Sequence, residues 1–119
     1  MQTSLQDRSE FQNVYRNGRR FDGDYITVFV IDNKGLHHRL GVTASKKALG
    51  KAVHRNRAKR LMREAFRLSE QSLQMLTRKY DWVMNAKLAI VDEKVNAPGN
   101  ELEKIIEKVG RLEIRSADN

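Results

Sequence analysis

The chain predicts an α+β fold in a single domain, with a single-layer sheet of about four strands packed by three helices in the order α-β-β-(β)-α-β-α. Three observations point there. Tyr25-Ile26-Thr27-Val28-Phe29-Val30-Ile31 is β-branched and aromatic throughout, which is strand chemistry. The stretch from Lys51 to Leu68 places apolar residues at helical spacing. At 119 residues the chain can bury one modest core and is too short for two. Hydrophobic residues make up 39% and charged residues 32%, the balance of a small folded protein with a large solvated or ligand-bound surface.

The first element expected is a helix over Ser9–Asn17, because Phe11, Val14 and Tyr15 fall at i, i+3 and i+4. Ser9 or Asp7 can supply the N-cap oxygen, and Gly18 can close the helix in a left-handed conformation. A basic loop at Arg19-Arg20 leads to the strand Tyr25–Ile31, apolar on both faces and therefore central. Asp32-Asn33-Lys34-Gly35 is turn chemistry, so Arg39–Ser45 reads as the second arm of a hairpin. The helix that follows turns His54, Ala58, Leu61, Ala65 and Leu68 inward, with Met62 at the edge. Leu73, Met75 and Leu76 then suggest a short helical extension or loop packing. Tyr80–Met84 reads as a strand, and Leu88–Val91 either continues it or forms a separate element. In the last helix Asn100 is a good N-cap, Glu103 stands where a capping box needs it, and Leu102, Ile105, Ile106 and Val109 share a face. Gly110 ends that helix, and Glu113–Asn119 reads as a flexible tail.

Charge is the other strong signal. Between Lys46 and Arg67 nine Lys/Arg face one acid, Glu64, so these 22 residues carry +8, the formal net charge of the whole chain. The other 97 residues hold 14 charges of each sign. Such a concentration repels itself unless a polyanion relieves it, and nucleic acid is the usual one. On the helical wheel Arg55, Asn56, Lys59, Arg60, Arg63 and Arg67 occupy the half opposite the apolar face, with Arg57 at its boundary. Solvated helix faces usually mix signs at i,i+4, and this one does not.

The string Lys51-Ala-Val-His-Arg55-Asn56-Arg57-Ala-Lys59-Arg60-Leu-Met-Arg63-Glu64-Ala-Phe66-Arg67 resembles the Arg-Asn-Arg signature helix of the bacterial ribonuclease P protein family. Arg39-Leu40-Gly41-Val42 with Ser45-Lys46-Lys47 is similar to that family's strand into the helix, and Glu10–Gly18 to its first helix. The resemblance covers residues 9 to 68 in order and spacing. It implies a single RNA-binding domain over 1–119, and a left-handed crossover through the basic helix in place of the usual right-handed one. It implies an accessory subunit that binds a catalytic RNA and assists endonucleolytic removal of the 5′ leader of precursor tRNA. Mg²⁺ would be held mainly by the RNA, which would carry the chemistry. Lys46, Lys47, Lys51, Arg55, Asn56, Arg57, Lys59, Arg60, Arg63 and Arg67 would then face RNA, and Phe11, Tyr15 and Phe29 would line a cleft for the leader. By their spacing alone the same aromatics read equally as core.

The residues exclude several other chemistries. With no cysteine there is no disulfide, thiol nucleophile or thiolate metal site. His37, His38 and His54 have no acidic partner at a spacing that forms a triad or metal site, so no catalytic side chain is assigned. No secretory signal or membrane-spanning run is present, which leads to the expectation of a cytoplasmic, monomeric protein, one per RNA. Two other functions fit the charge: a ribosomal-protein type of RNA-binding module, and a DNA-binding protein with its basic helix in a major groove. The second usually needs a dimer or a preceding helix-turn-helix, where a hairpin is expected here.

Overall fold

Apolar residues on both faces of a strand demand cover on both sides, and the sheet meets that demand with α1 on one face and α3 and α5 on the other. In the computed structural model, which describes residues 4–117, α1 (Arg8–Asn17) leads into β1 (Arg19–Asp22), β2 (Ile26–Asp32) and β3 (Arg39–Thr43). Then come α2 (Lys46–Leu49), α3 (Ala52–Leu68), α4 (Glu70–Gln74), β4 (Tyr80–Ala86), a 3-10 turn at Leu88–Asp92, and α5 (Asn96–Ala117). The strand order is β1-β2-β4-β3, β3 and β4 being parallel and the other neighbours antiparallel. Three long helices on four strands is the expected class, and the parallel β3–β4 pair with α3 between its strands is the crossover unit. None of the described helices is long and apolar enough to cross a membrane.

The strand pairing differs from the expected hairpin. β2 and β3 are not partners, because β4 lies between them. Burial explains the exchange: five of the first five residues of β4 are buried, whereas four of the five in β3 are only partly so. The most apolar strand takes the centre and β3 the edge. Asn33 shapes the β2–β3 connection as an arch over the end of β4, its Nδ2 donating to the His37 carbonyl at 3.0 Å and to Asp81 at 2.9 Å. The hairpin that does form is β1–β2, so Arg19-Arg20 belongs to a strand. Its turn is held from afar by Glu101, whose carboxylate accepts the N–H groups of Asp24, Tyr25 and Ile26.

Gly18 ends α1 as expected but at φ −83°, outside the left-handed region. Its role is close approach: a Cβ there would stand 2.5 Å from the Val14 carbonyl oxygen and 3.0 Å from that of Val30. Leu68 is likewise turned out, at 58% exposure, while Ala58, Met62 and Ala65 form the buried face of α3. The chain bends at Ser69, whose Oγ donates to the Ala65 carbonyl, so Leu73 and Leu76 fill the space beneath. The Leu88–Val91 segment is a separate 3-10 turn.

α5 is longer than expected at both ends. It begins at Asn96, with Pro98 in the first turn, where a missing N–H costs nothing. Gly110 lies inside it, near Leu76 (3.5 Å from a Cβ to Leu76 Cδ2). The tail expected from Glu113 is instead helix to Ala117; residues 118–119 lie outside the described residues. Glu113 is buried, and its carboxylate accepts from the Thr77 and Arg78 N–H groups at 3.0 Å and from the Tyr80 hydroxyl at 2.6 Å. These three bonds explain why an acidic residue near the chain end continues the helix. Burial first, and then the bond to the Glu113 carboxylate, push the Tyr80 phenol above its usual range.

The larger core joins Ile26, Val28, Val30, Trp82 and Met84 of the sheet to α3 and α5. The smaller one, Leu5, Val14 and Val83 with Phe11, Phe29 and Ile31, lies under α1. His38 closes the larger core at one end. Its Nδ1 accepts from the Tyr80 N–H and from Trp82 Nε1, both at 3.1 Å, and its Nε2 pairs with the Leu73 carbonyl at 3.2 Å. Two accepted bonds require Nδ1 bare, so the ring is neutral, and burial holds its pKa below the usual value. Because the folded-state pKa is lowered, the stability this ring contributes is complete above about pH 6.5 and is lost as pH falls through the folded value. A thermal-melt series should show the wild-type Tm falling from pH 7 to 5, with His38→Ala less stable at pH 7 and flatter over that range. Parallel profiles would refute the assignment.

Candidate nucleic-acid interface

α3 converts the charge run into a rigid array. Its inward residues lock one face to the sheet and α5, which leaves the opposite face no freedom to turn away from a ligand. Among the described residues, the side chains of Lys46, Lys47, Lys51, Asn56, Lys59, Arg60 and Arg63 have no ion-pair or hydrogen-bond partner in the protein. The first turn of α3 carries no acidic residue, so the positive end of its dipole adds to the same potential. Ser45 caps α2, accepting from the Ala48 N–H at 3.1 Å, and thereby presents Lys46 and Lys47 beside it.

The remaining members of the predicted set have internal partners. Arg57 donates from Nε to the Val91 carbonyl at 3.0 Å and from Nη2 to the Glu93 carbonyl at 2.7 Å, fastening α3 to the 3-10 turn. Arg55 Nη1 donates to the Gly50 carbonyl at 2.6 Å. Arg67 pairs with Glu64, as the single acid suggested, and holds that carboxyl below its usual range.

The sheet face under α1 holds the second feature. α1 covers only part of it, and Phe29 lies at the helix edge with Tyr15 edge-on to it, ring centroids 4.9 Å apart at 81°. Tyr15 is 39% exposed. Arg20, directly across from Phe29 on β1, sets its guanidinium 5.6 Å from the Phe29 ring centroid. Phe11 and Phe29 are both half-buried against the smaller core, but Phe11 lies flush on the β3 backbone, where a Cβ on Gly41 would fall 2.5 Å from its ring. Of the three aromatics, Tyr15 and Phe29 form the open wall and Phe11 its foundation.

Three neighbours of that wall are polar. Asn85, on β4, accepts hydrogen bonds at Oδ1 from the Tyr15 hydroxyl (2.8 Å) and the Thr43 hydroxyl (2.6 Å). Beyond it Asp22 accepts from Thr27 at 2.8 Å and pairs with Arg20 at 3.1 Å. Lys87 Nζ donates to the Gly23 carbonyl at 2.5 Å. Sequence reasoning missed this group, although one signal was present: Asn85 interrupts the apolar run Trp82-Val83-Met84 near the end of β4. Thr43 joins the two features, because the chain passes from it through Ser45 directly to Lys46, Lys47 and α3. Among the described residues His, Asp and Glu nowhere gather in a group of three that could hold a metal ion.

Comparisons with known proteins agree with this geometry. Residues 1–110 match the family model described as Ribonuclease P. The ribonuclease P protein component of Clostridium kluyveri is 35% identical over 106 residues, covering 89% of this chain and 93% of the relative. That of Clostridioides difficile is 42% identical over a shorter span of 65 residues, 55% of this chain and 56% of the relative. Among solved structures, the RNase P protein of Staphylococcus aureus superposes with a TM-score of 0.75 at 28% identity, over 92% of this chain and 96% of that one. A cationic helix on one side of a β1-β2-β4-β3 sheet, a half-open aromatic pair on the other, and a match over almost the whole length lead to one family: the chain belongs to the ribonuclease P proteins, the accessory protein subunit of a tRNA-processing endoribonuclease.

Proposed function

We propose that the two features divide the work of the subunit in the cytoplasm: the α3 stripe docks on the catalytic RNA, and the Tyr15–Phe29 groove holds the single-stranded 5′ leader of precursor tRNA. The observation that carries this reading is the placement of an uncompensated cationic face and a half-open aromatic wall on opposite faces of one sheet, joined through β3. Arginine forks bridge phosphate oxygens in fixed geometry, while Lys59 acts as a mobile point charge. Stacking suits leaders of varied sequence, since every base has a π-face, and each stack contributes about 1–3 kcal/mol. In this reading Mg²⁺ and the cleavage chemistry belong to the RNA, one protein monomer serving each RNA.

Reconstitution with a bacterial ribonuclease P RNA tests this. The protein should lower the Mg²⁺ needed to cleave precursor tRNA and tighten its binding. Phe29→Ala should weaken leader-bearing precursors roughly tenfold, on the scale of one lost stack, and leave leaderless tRNA unchanged. Equal losses for both RNAs would return Phe29 to a purely structural role.

A further inference from the structure

Asn85 has an unusual position for an amide: its oxygen is fully used and its nitrogen is not. Oδ1 has two lone pairs, and both are taken by hydroxyls, Tyr15 at 2.8 Å and Thr43 at 2.6 Å. The 2.6 Å separation to Thr43 is that of an O–H···O bond and is below the range of about 2.7–3.2 Å for N–H···O, which turns the amide oxygen toward the hydroxyls. Nδ2, with two donors, has no partner among the described residues and is not buried away from solvent. It is held beside the Tyr15–Phe29 wall by bonds from α1 and β3, elements that are themselves anchored by the core. An amide so clamped offers donors only.

We propose that Asn85 is a specificity-determining residue, reading the base that stacks on Tyr15 and Phe29 by donating from Nδ2 to a keto oxygen. The inference rests on the leader reading of the groove. A free asparagine pairs with adenine through both its atoms, accepting from the amino group and donating to the ring nitrogen. Here the accepting atom is occupied, so bases that present an amino group, adenine and cytosine, lose that pairing. Adenine still offers N7 to Nδ2, but its amino group, like that of cytosine, then meets donors and finds no acceptor, whereas guanine and uracil present only acceptors on the same edge, O6 with N7 and O4. The groove therefore favours keto over amino bases at one leader position, and Tyr15 contributes twice, as stacking platform and as the hydroxyl that sets the amide.

The test is competitive cleavage by the holoenzyme reconstituted with a bacterial ribonuclease P RNA, using precursors carrying each of the four bases at successive leader positions. The wild type should prefer guanine and uracil about fivefold at one position, the scale of one hydrogen bond. Asn85→Ala should level the four bases there without changing the affinity of the holoenzyme for leaderless tRNA. Asn85→Asp, whose outward oxygen accepts, should reverse the ranking toward adenine and cytosine. Tyr15→Phe keeps the platform but frees the amide to turn over, so it should shrink the preference while retaining most leader affinity. The same base ranking in wild type and Asn85→Ala overturns the proposal, as does a uniform loss for all four bases, which would mark a phosphate contact. If Phe29→Ala leaves the affinity difference between leader-bearing and leaderless RNA at its wild-type value, the groove reading itself fails, and the inference with it.

Discussion

Replacing Lys59, Arg60 and Arg63 together with Ala should weaken binding to the catalytic RNA roughly 100-fold at moderate salt, if each cation contributes about 1 kcal/mol through a charge-assisted contact. The salt dependence is the sharper readout. Each phosphate contact removed lowers the slope of log K against log salt by about 0.7 to 0.9, so the triple variant should lose about two units or more. Folding should not suffer, because these side chains have no partner in the protein among the described residues; exposed substitutions of this kind fall within about 0.5 kcal/mol each. Arg57→Ala should show the opposite pattern. That guanidinium ties α3 to the carbonyls of Val91 and Glu93, so its loss should lower stability more than it changes the salt slope. A triple variant with the wild-type slope would show that the stripe faces water in the complex.

The contrast between Arg57 and its neighbours marks the limit of what the sequence makes legible. Helical periodicity separates an apolar from a cationic face because that division depends only on the 100° step between residues. It cannot tell which cations along the boundary reach backbone carbonyls of another element, since that depends on where the 3-10 turn lies. The same limit governs the sheet. The strand content of Ile26–Asp32 and Tyr80–Ala86 is local chemistry and is legible, whereas strand order is a competition for the centre. Trp82 and Met84 make β4 the strand with most to bury, and it displaces β3 from the side of β2 despite the turn residues between them. The last helix shows the limit at the chain end: Glu113 looks like the start of a solvated tail until Thr77, Arg78 and Tyr80 converge on its carboxylate. Beneath and along α1, Phe11 and Tyr15 share a helical spacing, with Phe29 on the strand below, but the three do not share a fate. A glycine on β3, invisible to periodicity, draws Phe11 flat onto the sheet and leaves the other two at the open edge.

The groove depends on how firmly α1 is held, and that rests largely on Arg39. Its guanidinium takes Asp81 with two bonds, Nε at 2.8 Å and Nη2 at 2.7 Å, and reaches Glu10 on α1 through Nη1 at 2.6 Å. Glu10 in turn accepts the N–H groups of Gln6 and Asp7 at 2.8 and 2.9 Å, bonds that lead the causes holding its pKa below the usual range. Asp81 is 3% exposed, so removing its cation strands a charge out of water with only Asn33 to donate to it. Arg39→Ala should therefore cost about 3–5 kcal/mol, a large part of the 5–15 kcal/mol by which domains are usually stable. Arg20→Ala provides the comparison, since its pair with Asp22 is more than half exposed on both sides and should contribute at most about 1 kcal/mol. Urea denaturation separates them: the Arg39 variant should shift the midpoint several times further than the Arg20 variant, with no change in slope if the unfolded states are alike. Arg39→Lys should fall between, because a point charge cannot bind Asp81 bidentately and reach Glu10 as well. Equal shifts for Arg39→Ala and Arg20→Ala would mean that Asp81 finds water or another partner, and that α1 is held by Val14, Phe11 and Tyr15 without Arg39. With the cation gone, α1 loses its charged tether to β4 and Tyr15 is held by its bond to Asn85 without that support, so the folded fraction of the variant should bind leader-bearing RNA less well while its α3 stripe still docks.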